Sequence, residues 1–125
     1  MAGIDRIVTI TVGVINQDEA LRWYTELLGF EKRADMQGPG MRWLTVSPRK
    51  QPELEVVLAT WFPEFVGKNL PVVLLTEDCQ KTYEELSGKG VVFSQAPQNK
   101  PFGLEAVFKD LYGNTYALQQ RGKER

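Results

Sequence analysis

The feature that most constrains this chain is that its second half repeats its first. Moving Ala20 onto Cys79 (79 − 20 = 59) superposes Ala20, Trp23, Tyr24, Glu26, Leu27 and Gly29 on Cys79, Thr82, Tyr83, Glu85, Leu86 and Gly88, with Tyr, Glu, Leu and Gly unchanged in type. Further along, Gly40-Met41-Arg42 falls on Gly103-Leu104-Glu105 (103 − 40 = 63), and Leu54-Glu55-Val56 on Tyr116-Ala117-Leu118 (116 − 54 = 62). A unit of this length that recurs once is a supersecondary block used twice.

The periodicity of each block gives its elements. Residues 7–14 alternate, with Val8, Ile10 and Val12 on one side of a strand and Ile7, Thr9 and Thr11 on the other. Asn16 is a helix cap, and residues 18–28 gather Ala20, Trp23, Tyr24, Leu27 and Leu28 on one stripe until Gly29 stops the helix. Strands are predicted over 30–35, 41–47 and 53–60, separated by the breakers Gln37-Gly38-Pro39-Gly40 and Pro48-Arg49-Lys50-Gln51-Pro52. The second block repeats the order: a strand over 71–76, a helix over 78–88, and strands near 91–94, 104–109 and 115–120. The expected fold class is therefore α+β. One domain of residues 1–125 contains two β-α-β-β-β modules, 4–60 and 71–121, joined by an aromatic-rich linker over 61–70.

Composition removes whole classes of function. With 15 Lys plus Arg against 16 Asp plus Glu among 125 residues, and no basic block beyond the tail Arg121-Gly122-Lys123-Glu124-Arg125, no field exists to hold a phosphate backbone, so nucleic acid is not expected as a partner. No apolar window is long enough for a membrane span, and the first residues lack a signal-peptide core, so a cytoplasmic protein is expected. Cys79 is the sole cysteine and cannot form an internal disulfide. The absence of histidine eliminates imidazole bases, Ser-His-Asp and Cys-His nucleophiles, and every metal site that contains imidazole.

Covering each half-sheet with its helix assigns the faces. The helix side should carry Val8, Ile10, Val12, Leu54, Val56 and Leu58 in the first module, and Val73, Leu75, Tyr116 and Leu118 in the second. The other faces should form a concave surface with Ile7, Thr9, Met41, Trp43, Thr45, Glu55, Val57, Val72, Leu74, Ala106, Phe108, Ala117 and Gln119, a mostly apolar set suited to a small-molecule cavity. Within it the ligand-binding candidates are Thr9, Trp43, Glu55 and Gln119, with Trp61 and Phe62 of the linker at the rim. Aromatic walls stack flat or cationic guests, and a carboxylate among them binds an amine or serves as a general base. Arg42 and Glu105 occupy matching places and read as a structural pair, and Cys79 reads as a buried helix residue.

The paired modules, the helix end Trp23-Tyr24-x-x-Leu27-Leu28-Gly29-Phe30, and Pro101-Phe102-Gly103-x-Glu105-x(4)-Asp110-x-x-Gly113-Asn114 together resemble the vicinal oxygen chelate superfamily. That superfamily includes glyoxalase I, the bleomycin and fosfomycin resistance proteins and extradiol dioxygenases. The chain departs from the pattern at Leu111, where the family commonly has Pro, and at Glu105, where it often has Arg. The resemblance implies a glyoxalase-like half-barrel completed by homodimerisation. It also implies that family metal ligands, carried over by position, fall at Ile7 and Val72 (or, one residue earlier, Arg6 and Pro71) and at Glu55 and Ala117. Only Glu55 could coordinate an ion, so no metal and no cofactor are expected. Two functions follow. One is a bleomycin-resistance-like protein that binds a small aromatic or amine-bearing molecule. The other is an atypical, metal-independent isomerase or lyase with Glu55 as base, so the residues leave open whether the chain is an enzyme. A third reading is a regulatory module that kept the fold and lost the site.

Overall fold

The computed structural model describes residues 3–122, and the chain divides into two units, one up to Pro63 and one from Glu64 onward. In the first, strand β1 (Thr9–Gly13) is followed by helix α1 (Gln17–Arg22), then β2 (Glu31–Gly38), β3 (Met41–Ser47) and β4 (Glu55–Ala59). In the second, β5 (Val72–Leu75), helix α2 (Cys79–Gly88), β6 (Val92–Lys100), β7 (Gly103–Lys109) and β8 (Thr115–Arg121) repeat that order. Each unit is thus a βαβββ module, with sheet orders β1-β4-β3-β2 and β5-β8-β7-β6 in which the first and last strands run parallel. Among the described residues no helix is long and apolar enough to cross a membrane.

Both helices start at a side-chain cap, Asn16 as expected and Asp78, which the predicted helix over 78–88 includes. The Asn16 side chain accepts from the Glu19 amide at 2.8 Å, and that of Asp78 from the Lys81 amide at 3.0 Å, each satisfying a donor that the first turn leaves orphaned. The first helix differs from its predicted extent. It is α-helical only to Arg22 and widens into a π-turn over Trp23–Leu27. The wider turn rotates the stripe, so Ala20 and Tyr24 are buried while Trp23, Leu27 and Leu28 are only half-buried.

In the first module the helix side carries Val12, Leu44, Val46, Val56 and Leu58, all buried, as the alternation of β1 predicts. Val8 is the exception: it lies outside the strand and is half exposed. In the second module the expected faces of two segments, β5 and β7, are reversed. Register places Val72 opposite Tyr116 and Val73 opposite Ala117, so Val72 and Leu74 share the helix side with Tyr116 and Leu118, while Val73 and Leu75 stand on the other side and are largely exposed. Phe108 is opposite Tyr116 and Ala106 opposite Leu118, which puts both on the helix side rather than the open one. There Tyr83, Phe93, Phe108 and Tyr116 form an aromatic column with successive ring centroids 4.7, 5.3 and 5.3 Å apart. The reason is parity. Val72-Val73-Leu74-Leu75 has no alternation, and a one-residue error in such a run flips every side chain.

Asp110 organises the β7–β8 turn. Its buried carboxylate accepts from the amides of Tyr112 (2.8 Å) and Asn114 (2.9 Å) and from Asn114 Nδ2 (2.9 Å), while Gly113 takes φ +87°. Asn114 contributes its side-chain oxygen, which accepts from the Gly67 amide at 2.9 Å. Asn69 likewise exchanges hydrogen bonds with the Thr115 backbone, so the linker is stitched to this module from Gly67 onward.

Candidate functional site

The open face of the first module is built by β1, β3 and β4. Thr9 is opposite Glu55 in register and Thr45 opposite Val57, so Thr9, Thr45 and Glu55 share one side of the sheet. The hydroxyl of the fully buried Thr45 donates to Glu55 Oε1 at 2.5 Å, fixing a half-buried carboxylate on this face. Two residues along β3, Trp43 stacks on Trp61 with ring centroids 6.4 Å apart and planes inclined by 22°. Phe62 continues the group, 6.1 Å from Trp61 and tilted by 48°, and the exposed Met36 lies directly across the strand pair from Trp43. Five of the six predicted ligand residues therefore occupy this module. The sixth, Gln119, belongs to the other.

How Trp43 is accommodated follows from the strands beneath it. The β3–β4 ladder comprises only the pairs Thr45–Val57 and Val46–Val56. Where it stops, the side chain of Gln17 donates to both the Arg42 carbonyl (2.9 Å) and the Leu58 carbonyl (2.8 Å), one amide tying two strands that no longer pair. On the helix side of the same strand, Arg42 binds Asp35 through two bonds (2.8 and 2.9 Å) and Asp18 through a third (2.8 Å). Asp35 is held below its usual carboxylate range chiefly by that Arg42 hydrogen bond.

The open face of the second module has different chemistry. Gln119 is buried, donates from Nε2 to Glu105 Oε2 at 3.0 Å, and accepts at Oε1 from Arg121 Nε at 2.9 Å. Arg121 in turn lies over the Phe102 ring, its guanidinium carbon 5.6 Å from the centroid. Glu105 therefore does not mirror Arg42. The register that sets Thr45 against Val57 matches Glu105 against Gln119 (105 − 45 = 60; 119 − 57 = 62), whereas the offset of 63, being odd, exchanges the two faces. Sequence reasoning missed Glu105 and Arg121 as face residues. The signal is present in Gln119-x-Arg121, which alternation places on one side together. Cys79 is fully buried against the Leu118 carbonyl, and burial pushes its thiol pKa up, which leaves it a poor nucleophile.

Of the positions that the resemblance implies for a metal, Ile7 precedes β1 and is exposed, Val72 lies on the helix side with Tyr116, and Ala117 lies on the other side of that sheet; none of these side chains has a donor atom, and the Glu55 carboxylate is engaged by Thr45. Among the described residues no group of three or more His, Cys, Asp or Glu could hold an ion.

Comparison with known proteins places this geometry in context. The family described as Glyoxalase/Bleomycin resistance protein/Dioxygenase superfamily matches residues 4–118. The uncharacterized protein YurT of Bacillus subtilis (strain 168) is 34% identical, over 93% of this chain and 99% of that protein. The crystal structure of UcmS2 is 40% identical with a TM-score of 0.84, covering 93% of this chain and 98% of its own. That of TnmS3, an antibiotic binding protein from Streptomyces sp. CB03234, is 32% identical with a TM-score of 0.88, over 98% of this chain and 100% of its own.

Proposed function

The chain belongs to the Glyoxalase/Bleomycin resistance protein/Dioxygenase superfamily, and with that as the premise we propose that it binds a small aromatic, amine-bearing molecule and does so without chemical turnover. The observation that carries this reading is the stacked pair Trp43–Trp61 on the same sheet face as the carboxylate of Glu55. A flat cation would be gripped by ring stacking and one charge-assisted hydrogen bond. The similarity to TnmS3, an antibiotic binding protein, supports the binding of a small molecule. Thr9 and Phe62 of the same module complete the proposed contacts. Of the implied metal positions Ile7, Val72, Glu55 and Ala117 only Glu55 has a side-chain donor, so the binding is proposed to need no divalent ion. An isomerase or lyase using Glu55 as base is not favoured, because proton transfer needs a partner for the developing negative charge and one Glu55 oxygen is already occupied by Thr45.

The test uses proflavine, a flat tricyclic amine, followed by quenching of tryptophan fluorescence. Glu55→Gln should weaken binding by about 1.5 to 3 kcal/mol, the range for a hydrogen bond to a charged group, and leave the circular dichroism spectrum unchanged. Trp43→Ala should weaken it as well. Equal affinity in the parent and both variants sinks the proposal. We also propose a homodimer, since Ile7 and Val8 beside β1, and Leu70, Val73 and Leu75 along β5, are exposed apolar side chains near edge strands. Sedimentation as a monomer at micromolar concentration would overturn that assembly.

A further inference from the structure

We infer that Arg121 is a carboxylate-binding residue, held ready on the open face of the second module by Gln119 and Phe102. The inference stands on this module alone and is independent of the aromatic amine site proposed above. Its starting point is how the other arginines are used. Arg6, Arg33, Arg42 and Arg49 each form an ion pair with an aspartate or glutamate, while Arg22, exposed at the end of helix α1, forms none among the described residues. Arg121 has no such partner among the described residues. It is held by neutral groups only: the Phe102 ring beneath it at 5.6 Å and the Gln119 amide oxygen on Nε at 2.9 Å.

These contacts orient the side chain without neutralising it. Glu105 is one residue further removed, because the Gln119 amide stands between them, accepting from Arg121 and donating to Glu105 at 3.0 Å. The amide could not be reversed without setting its NH2 against Nε, so Glu105 fixes Gln119 and Gln119 fixes Arg121. Phe102 is fixed too. Its carbonyl accepts from the Gly122 amide at 2.7 Å, and the next residue, Gly103, is opposite Arg121 in the ladder. Arg121 is exposed, and its two terminal nitrogens make no hydrogen bond to any described residue. A planar fork of donors with an uncompensated charge, one edge anchored and the other open, matches the two oxygens of a carboxylate. The side-chain entropy of an arginine, which ordinarily opposes such binding, is reduced in the free protein by these two contacts.

The test compares anthracene-9-carboxylate with its neutral counterpart anthracene-9-methanol, both followed by their own fluorescence against the full chain. The parent should bind the carboxylate at least about tenfold more tightly than the alcohol, the effect of one bidentate charge-assisted contact. Arg121→Gln should abolish that preference while leaving affinity for the alcohol unchanged. Arg121→Lys, which keeps the charge and loses the fork, should retain only a minor part of it. Gln119→Leu should reduce the preference by loosening Arg121, with no change in the alcohol. A parent without preference for the carboxylate, an Arg121→Gln variant that keeps it, or equal losses for both probes overturns the inference. Because Glu55→Gln is tested on proflavine and Arg121→Gln on a carboxylate, either site can fail while the other stands.

Discussion

The two modules follow one plan yet join their third and fourth strands in opposite ways. In the second, β7 and β8 pair without interruption from Gly103–Arg121 to Lys109–Thr115. In the first, β3 and β4 pair at only two positions before Gln17 ties their carbonyls. Aligned by register, Trp43 of the first module corresponds to Gly103 of the second (103 − 43 = 60). The closed ladder explains the glycine: at φ +141°, a Cβ on Gly103 would be 1.9 Å from the Gln120 carbonyl oxygen, and nothing larger than hydrogen fits. The open pair admits the largest side chain at the matching place. A duplicated fold thus diverged in chemistry by changing how far two strands stay paired, one copy gaining an aromatic face and the other a polar chain ending in arginine.

The comparison breaks most severely at the glycine. Gly103→Ala should cost about 3 kcal/mol or more, since it combines backbone strain with a clash against main chain that cannot move aside, and a thermal melt should show a large fall in midpoint. If the loss is small, the β7–β8 ladder is more tolerant than its register implies and the contrast with Trp43 loses its cause. Gln17→Ala in the other module should cost about 1 to 2 kcal/mol, leaving two part-buried carbonyls without their donor. It should also shift tryptophan emission, because Arg42 and Leu58 flank Trp43 and the β4 end that leads to Trp61. Unchanged emission with lowered stability would mean that Gln17 holds the strands without setting the rings.

The smallest effect sharpens the electrostatic side. Asp35 is depressed in the folded state by Arg42, so its contribution is present above the ordinary carboxylate pKa and is lost as pH falls through the lower folded value. Asp35→Asn should therefore reduce stability near neutral pH by under about 1 kcal/mol, as suits a pair at the surface, and flatten the acid limb of the stability profile below the ordinary carboxylate range. A variant whose acid limb is unchanged would show that the pair contributes nothing in solution.

Much of the fold and part of the site are legible in the order of the amino acids. The cap at Asn16 and the open-face identity of Thr9 and Glu55 follow from alternation and turn chemistry, which are local. The Asp110 turn is legible in its location, though the carboxylate holding three donors is not. The π-turn over Trp23–Leu27 is hidden, since the stripe of an ordinary helix accounts for the same apolar residues. Glu105 falls on the wrong face when the repeat is aligned by residue type, because type does not conserve parity.

What the amino-acid order determined by itself is therefore the topology and the chemical inventory. Polar and apolar side chains that alternate define a strand and its inner face within a few residues, and the absence of histidine excludes chemistry in any fold. Tertiary structure alone decided which side of Val72-Val73-Leu74-Leu75 is open, that Trp43 has room where Gly103 has none, and that Arg121 rests on a ring and an amide rather than a carboxylate. The physical reason is common to all three. A uniformly apolar run has no face, a strand gap no width and an arginine no partner until a neighbouring strand, set by pairing far along the chain, supplies them.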